Sequence, residues 1–137
     1  MKLKIGIPRA FLYYRYNILW KTFFTNLGCT TILSPETTRE TLENGKKEVN
    51  DECCLPTKIY LGAVFSLIDK CDYILVPRIV NYGKNNQVCV RFNGIYDMVK
   101  NSYQLDNILD YNIDVKKHKT EILAFMKIGL KITKNIF

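Results

Sequence analysis

Leu3, Ile5 and Ile7 alternate with Lys4 and Gly6, the period of a half-buried strand, so residues 3–7 are predicted as the first strand. Beyond Pro8 and Arg9 the period lengthens. Leu12, Leu19, Phe23 and Leu27 fall on one helical face with Trp20 and Phe24 beside it, and Gly28 is a natural stop. "CTTILSP", Cys29 to Pro35, is β-branched and closed by proline, which predicts a strand over 29–34. Thr37-Thr38-Arg39-Glu40 has the spacing of a capping box opening a short helix that stops near Asn44-Gly45.

Pro56 suits the first turn of another helix, whose face Tyr60, Val64, Leu67 and Ile68 mark. The compact apolar run Tyr73 to Val76 predicts a buried parallel strand over 73–78. Val88, Val90 and Phe92 alternate with Cys89 and Arg91, which reads as a short strand or extended segment, with a helix behind an Asn93-Gly94 turn. "NILDYNID" predicts a strand near 106–112, and the chain is helical from Val115 onward.

This order predicts α/β: a single three-layer domain over 1–137 with a mostly parallel, flavodoxin-like or Rossmann-like sheet. Ligands of such sheets gather at the carboxyl ends of the strands, where Pro8-Arg9, Ser34-Pro35 and Pro77-Arg78 are expected. Phe125, Met126, Leu130, Ile132, Ile136 and Phe137 spread over more than one face of the last helix. Some of them are expected to be exposed, and a homodimer through this helix would cover them.

Composition changes the picture little. The chain has 137 residues, 47% hydrophobic and 24% charged, enough for one ordinary core. No apolar run is long enough to span a bilayer, and no secretion signal precedes Pro8, so a cytoplasmic protein is expected. The net charge of +7 favours anionic partners. The lysines are nevertheless scattered and form no basic stripe interleaved with aromatics, so no specific nucleic-acid binding is expected.

The chemistry narrows to cysteine. No GxGxxG turn, no phosphate-binding GxxxxGK[ST] loop and no CxxC occurs, and the single histidine, His118, sits in a lysine run. Five cysteines, an odd number without a secretion signal, argue against a disulfide framework. Cys53 and Cys54 are adjacent, too close in Cα spacing for a relaxed disulfide. Cys53, Cys54 and Cys89 are therefore candidate metal ligands or buried packing. A helix starting after Cys54 would favour its thiolate.

The segments "KIGIPRAFLYYRYNILWKTFFTNLG", "DECCLPTKIYLGAV", "CDYILVPRIV" and "VCVRFNGIYDMV" together resemble the N-terminal part of the 2-hydroxyacyl-CoA dehydratase superfamily. They most resemble the dehydratase-like region associated with CoA-substrate-specific enzyme activases. The resemblance implies an iron–sulfur cluster, of 4Fe-4S or double-cubane type, and ATP-driven low-potential electron transfer. It implies metal ligation by Cys54 and Cys89, with Cys53 beside them. Arg9 and Arg78, each following a proline at a strand end, are candidate cofactor contacts at the same edge or structural partners of a carboxylate such as Asp51 or Glu52. Partners would be an ATP-dependent activase or a second dehydratase subunit. Family proteins are longer, with a second domain supplying further ligands, so this chain is expected to be the front part of such a protein and catalytically incomplete alone. The alternative is a non-catalytic interaction module docking on an activase or dehydratase subunit.

Overall fold

The computed structural model describes residues 2–136. Its elements are β1 (Lys4–Ile7), α1 (Tyr13–Asn26), β2 (Thr30–Leu33), α2 (Arg39–Lys46), α3 (Leu55–Leu67), β3 (Tyr73–Asn81), α4 (Val90–Tyr103), β4 (Ile108–Asp114), a 3-10 turn over Val115–Lys117, and α5 (Glu121–Ile136). The four strands are all parallel in the order β2-β1-β3-β4. This is the α/β architecture that the alternating periods predict.

Each face of the sheet has its own core. On one side α1 and α5 pack Trp20, Phe24, Ala124, Ile128 and Ile132 over Ile5, Ile7, Leu75, Leu109 and Tyr111. Trp20 stands edge-on to Tyr111, with ring centroids 5.7 Å apart. On the other side α3 and α4 pack Tyr60, Leu61, Val64, Ile95 and Val99 over Ile74, Val76 and Ile108. Full burial of a large apolar side chain contributes about 1.5–3 kcal/mol, so the two layers are the fold's main support.

Five local expectations are corrected. The capping box slides by one residue: Thr38 is the N-cap, its hydroxyl accepting from the Thr41 amide while Thr41 accepts from the Thr38 amide. Gly45 does not end α2; it is buried where α2 meets α3. Val90 and Phe92 are helical, not extended, and Asn93-Gly94 lies inside α4. Over three alternating positions a strand period cannot be told from a helix whose later contacts, Ile95 and Val99, continue at helical spacing.

The fourth correction concerns Arg78. The strand does not end at Pro77-Arg78 but runs on to Asn81, so Arg78 lies within β3. The Ile74 amide donates to the Asn107 carbonyl at the start of β4. Alternation therefore turns the Pro77 nitrogen away from β4. On that side β1 pairs with β3 no further than Gly6↔Ile74, so the missing N–H breaks no ladder bond. β4 is likewise displaced from its predicted span, to 108–114.

Candidate functional site

All five cysteines carry free thiols, and they divide by environment. Cys29, just before β2, is buried, and burial pushes its thiol pKa up. Cys71, just before β3, is half-buried; its thiol donates to the Leu67 carbonyl at 3.3 Å, and burial again raises the pKa. Cys53 is buried, with its amide donating to the Asn50 carbonyl. Only Cys54 and Cys89 are exposed.

Both exposed cysteines hold the same structural position. Cys54 is the N-cap of α3 and Cys89 the N-cap of α4. The two helices cover the same face of the sheet. Both run antiparallel to the strands, so both N-termini lie at the carboxyl edge. Pro56 at the start of α3 fixes a helical φ without spending an N–H that would be unsatisfied anyway.

Cys54 is tuned toward the thiolate. The buried Thr57 hydroxyl lies 3.0 Å from its sulfur and is the largest influence lowering its pKa. Burial is the next largest influence and opposes this, while the Thr57 amide and the Arg91 charge reinforce it. The amides of Cys54 and Thr57 thus add to the lowering at the start of α3, where the positive end of a helix favours an anion.

The two helix starts are braced by one side chain. Phe11, at φ 52° in the left-handed region, stacks on Tyr60 of α3 at 5.0 Å and meets Phe92 of α4 edge-on at 5.1 Å. A bulky residue in that backbone region is strained by about 1–3 kcal/mol and persists only when its surroundings hold it there. Behind Cys89 a cavity of about 310 Å³ opens at the ends of β3 and β4, lined by Asn81, Asp114, Lys116 and Lys117. Its floor is organised: Asn81, buried, donates to Asp114 at 2.6 Å and accepts from the amides of Gly83 and Lys116.

The two arginines expected at this edge are engaged within the chain. Arg9 donates through Nε to the Ser34 carbonyl at 2.5 Å, and its amide donates to the Ser34 hydroxyl at 2.7 Å. Its guanidinium also lies 3.9 Å from Glu36. Arg78 pairs with Asp97 at 3.3 Å and Asp110 at 3.8 Å, and stacks over the Tyr96 ring at 4.5 Å. Neither pairs with Asp51 or Glu52. Sequence reasoning missed Thr57, Arg91 and Phe11. Thr57 carried a signal: a hydroxyl three residues past an N-cap faces the cap, the spacing of a capping box.

Among the described residues no group of three or more Cys, His, Asp or Glu side chains is placed to hold a metal ion. Two thiol positions at helix N-termini suit an anionic metal cluster in charge, but not the four thiolates such a cluster needs. No curated protein and no solved structure matches this chain. Residues 4–136 match the sequence pattern of a family described as the CoA enzyme activase uncharacterised domain. Taken with the paired helix starts and the parallel sheet, that match over nearly the whole sequence places the chain in this family, among the domains associated with CoA-substrate enzyme activases.

Proposed function

We propose that this domain supplies two thiolates, Cys54 and Cys89, to an iron–sulfur cluster whose other ligands come from a partner, in an activase-associated electron-transfer system. The observation that carries it is the matched placement of both cysteines, exposed at the N-caps of neighbouring helices on one face and one edge of the sheet. Helix N-termini favour anionic groups, and Arg91 adds positive charge beside Cys54. Bound there, the cluster would supply one-electron chemistry at low potential; the chain's own part is to fix two ligands and their electrostatic surroundings. In this reading Cys53 packs beneath the site, and Arg9 holds the edge in place through Ser34.

Anaerobic reconstitution with iron, sulfide and a small external thiol standing in for the partner's ligands tests it. Thiolate-to-iron absorption should appear and should fall in Cys54→Ala and in Cys89→Ala, while Cys53→Ala keeps it. Absorption indifferent to Cys54 and Cys89 would overturn the assignment.

A second reading, an interaction module, has its own observation. Between α1 and α5 runs an apolar groove of about 690 Å³, with Leu19, Ile122, Met126 and Leu130 exposed along it. No charged side chain lines it, so a second copy could close it without bringing like charges together, despite the net charge of +7. Sedimentation across concentration tests this: a dimer lost in Leu130→Asp supports it, and a monomer at all concentrations refutes it. Among the described residues no helix is long and apolar enough to cross a membrane.

A further inference from the structure

The two edges of the sheet are built differently. β2, at one edge, is four residues long and nowhere fully buried. β4, at the other, is seven residues long, with Ile108, Leu109, Tyr111, Ile113 and Asp114 all buried. That is the composition of an interior strand, yet among the described strands β4 pairs with β3 alone. The Asn107 carbonyl faces β3, where the Ile74 amide donates to it. By alternation the backbone groups of Ile108, Asp110 and Asn112 face outward. Lys131 accordingly donates to the Ile108 carbonyl at 3.2 Å. At the far end Asp114 and Lys119 exchange both backbone hydrogen bonds, closing the edge there.

Between these two closures lies a cavity of about 190 Å³ along the strand, lined by Asp110 and Asn112, by Tyr96 of α4, and by Lys119, Lys127 and Lys131. The two sides of the cleft differ in chemistry. On the α4 side, Asp110 Oδ1 and Asn112 Oδ1 are buried acceptors without a hydrogen-bond donor. Asp110 is close enough to Arg78 to pair as an ion but too far to accept a hydrogen bond. Burial pushes its carboxyl pKa up and the Asp97 charge adds to this, while Arg78, Lys119 and Lys127 pull it back. On the α5 side, the lysines are the only charged groups lining it.

We propose that the open edge of β4 receives an added strand from a partner protein, with carboxylates facing the α5 lysines and hydroxyl or amide donors facing Asp110 and Asn112. Strand addition suits an edge whose outward amides and carbonyls are unpaired. The period-two alternation of a strand presents one side-chain type to each wall. Charge decides the occupant: a second copy would set lysines against lysines, whereas an acidic strand complements them.

Fluorescence anisotropy with the whole chain and a synthetic peptide alternating Glu and Thr tests this. It should bind about tenfold more tightly than its Lys-Thr counterpart, less so at high salt. N-methylation of its edge-facing amides should abolish binding. Hydrogen exchange at the amides of Ile108, Asp110 and Asn112 should slow when it binds. Lys127→Glu, at an exposed position, should shift preference toward the Lys-Thr peptide. No binding, binding indifferent to N-methylation, or protection in the α1/α5 groove in place of β4 would overturn the proposal. So would protection of those three amides by raising the protein concentration alone, which would mark a second copy as the occupant.

Discussion

Two helix pairs in this molecule meet in opposite ways. α2 and α3 touch backbone to backbone: a Cβ on Gly45 would lie 1.7 Å from the Lys58 carbonyl oxygen, and one on Gly62 would lie 1.8 Å from that of Thr41. α1 and α5 are held apart by rings, Phe23 against Phe125 at 4.5 Å and Phe125 against Tyr111 at 5.1 Å. The glycine at that second contact, Gly129, has ordinary room, its Cβ position being 3.8 Å from Phe23. The first pair is closed at its crossing by the chain's own backbone. The second fills its inner side with aromatics and leaves an apolar groove outside. Glycines therefore let one helix pair meet at the backbone, while aromatic rings hold the other apart and leave an apolar groove beside it.

The sharpest way to break the closed pair is Gly62→Ala. The added methyl cannot fit against a backbone carbonyl, so the helices must separate, at a cost of about 3 kcal/mol in chemical denaturation. A loss under about 1 kcal/mol would mean the crossing is looser than described. On the ringed pair, Phe125→Ala removes a half-buried anchor and should cost about 2–3 kcal/mol. Leu130→Asp sharpens the contrast. It sits on the outer wall of the groove, 61% exposed, so monomer stability should change by no more than about 0.5 kcal/mol. Any self-association through the groove should nevertheless disappear in sedimentation.

The smallest effect belongs to the start of the closed pair, at Cys54. Its thiol ionises at lower pH folded than unfolded. The resulting stabilisation is present above the unfolded pKa, fades as pH falls through the folded one, and is absent below it. The alkylation rate of Cys54 should therefore rise with pH from an inflection below the ordinary thiol value. Thr57→Val should move that inflection upward, because it removes the largest stabilising contact. An inflection unmoved by Thr57→Val would assign the shift to the helix and Arg91 instead.

What the sequence made legible was local. The alternation of Leu3, Ile5 and Ile7 gave β1, and Gly28 at φ +79° ends α1 as its position suggested. Cys54 at a helix start followed from Pro56. On α5 the expected spread over several faces holds for the residues described: Ile132 is buried, while Met126 and Leu130 are exposed. The Ile136 side chain and Phe137 fall outside the described part. What the sequence concealed was long-range. Gly45 looked like a helix stop because nothing near it announces Lys58 of the next helix. Arg78 looked like an edge residue because its carboxylates, Asp97 and Asp110, come from elements much later in the chain.

Phe11 ties the two cysteine positions into one variable. Its ring bears on α3 through Tyr60 and on α4 through Phe92, and its left-handed backbone leaves it little freedom to follow one helix without the other. A displacement of either helix start is thus transmitted to its neighbour. A ligand that shifts one helix start would bear on the other through these ring contacts, and by thermodynamic reciprocity the coupling energy is the same in both directions. One aromatic ring thus stands as a shared spacer between the two helices whose first turns carry the exposed cysteines.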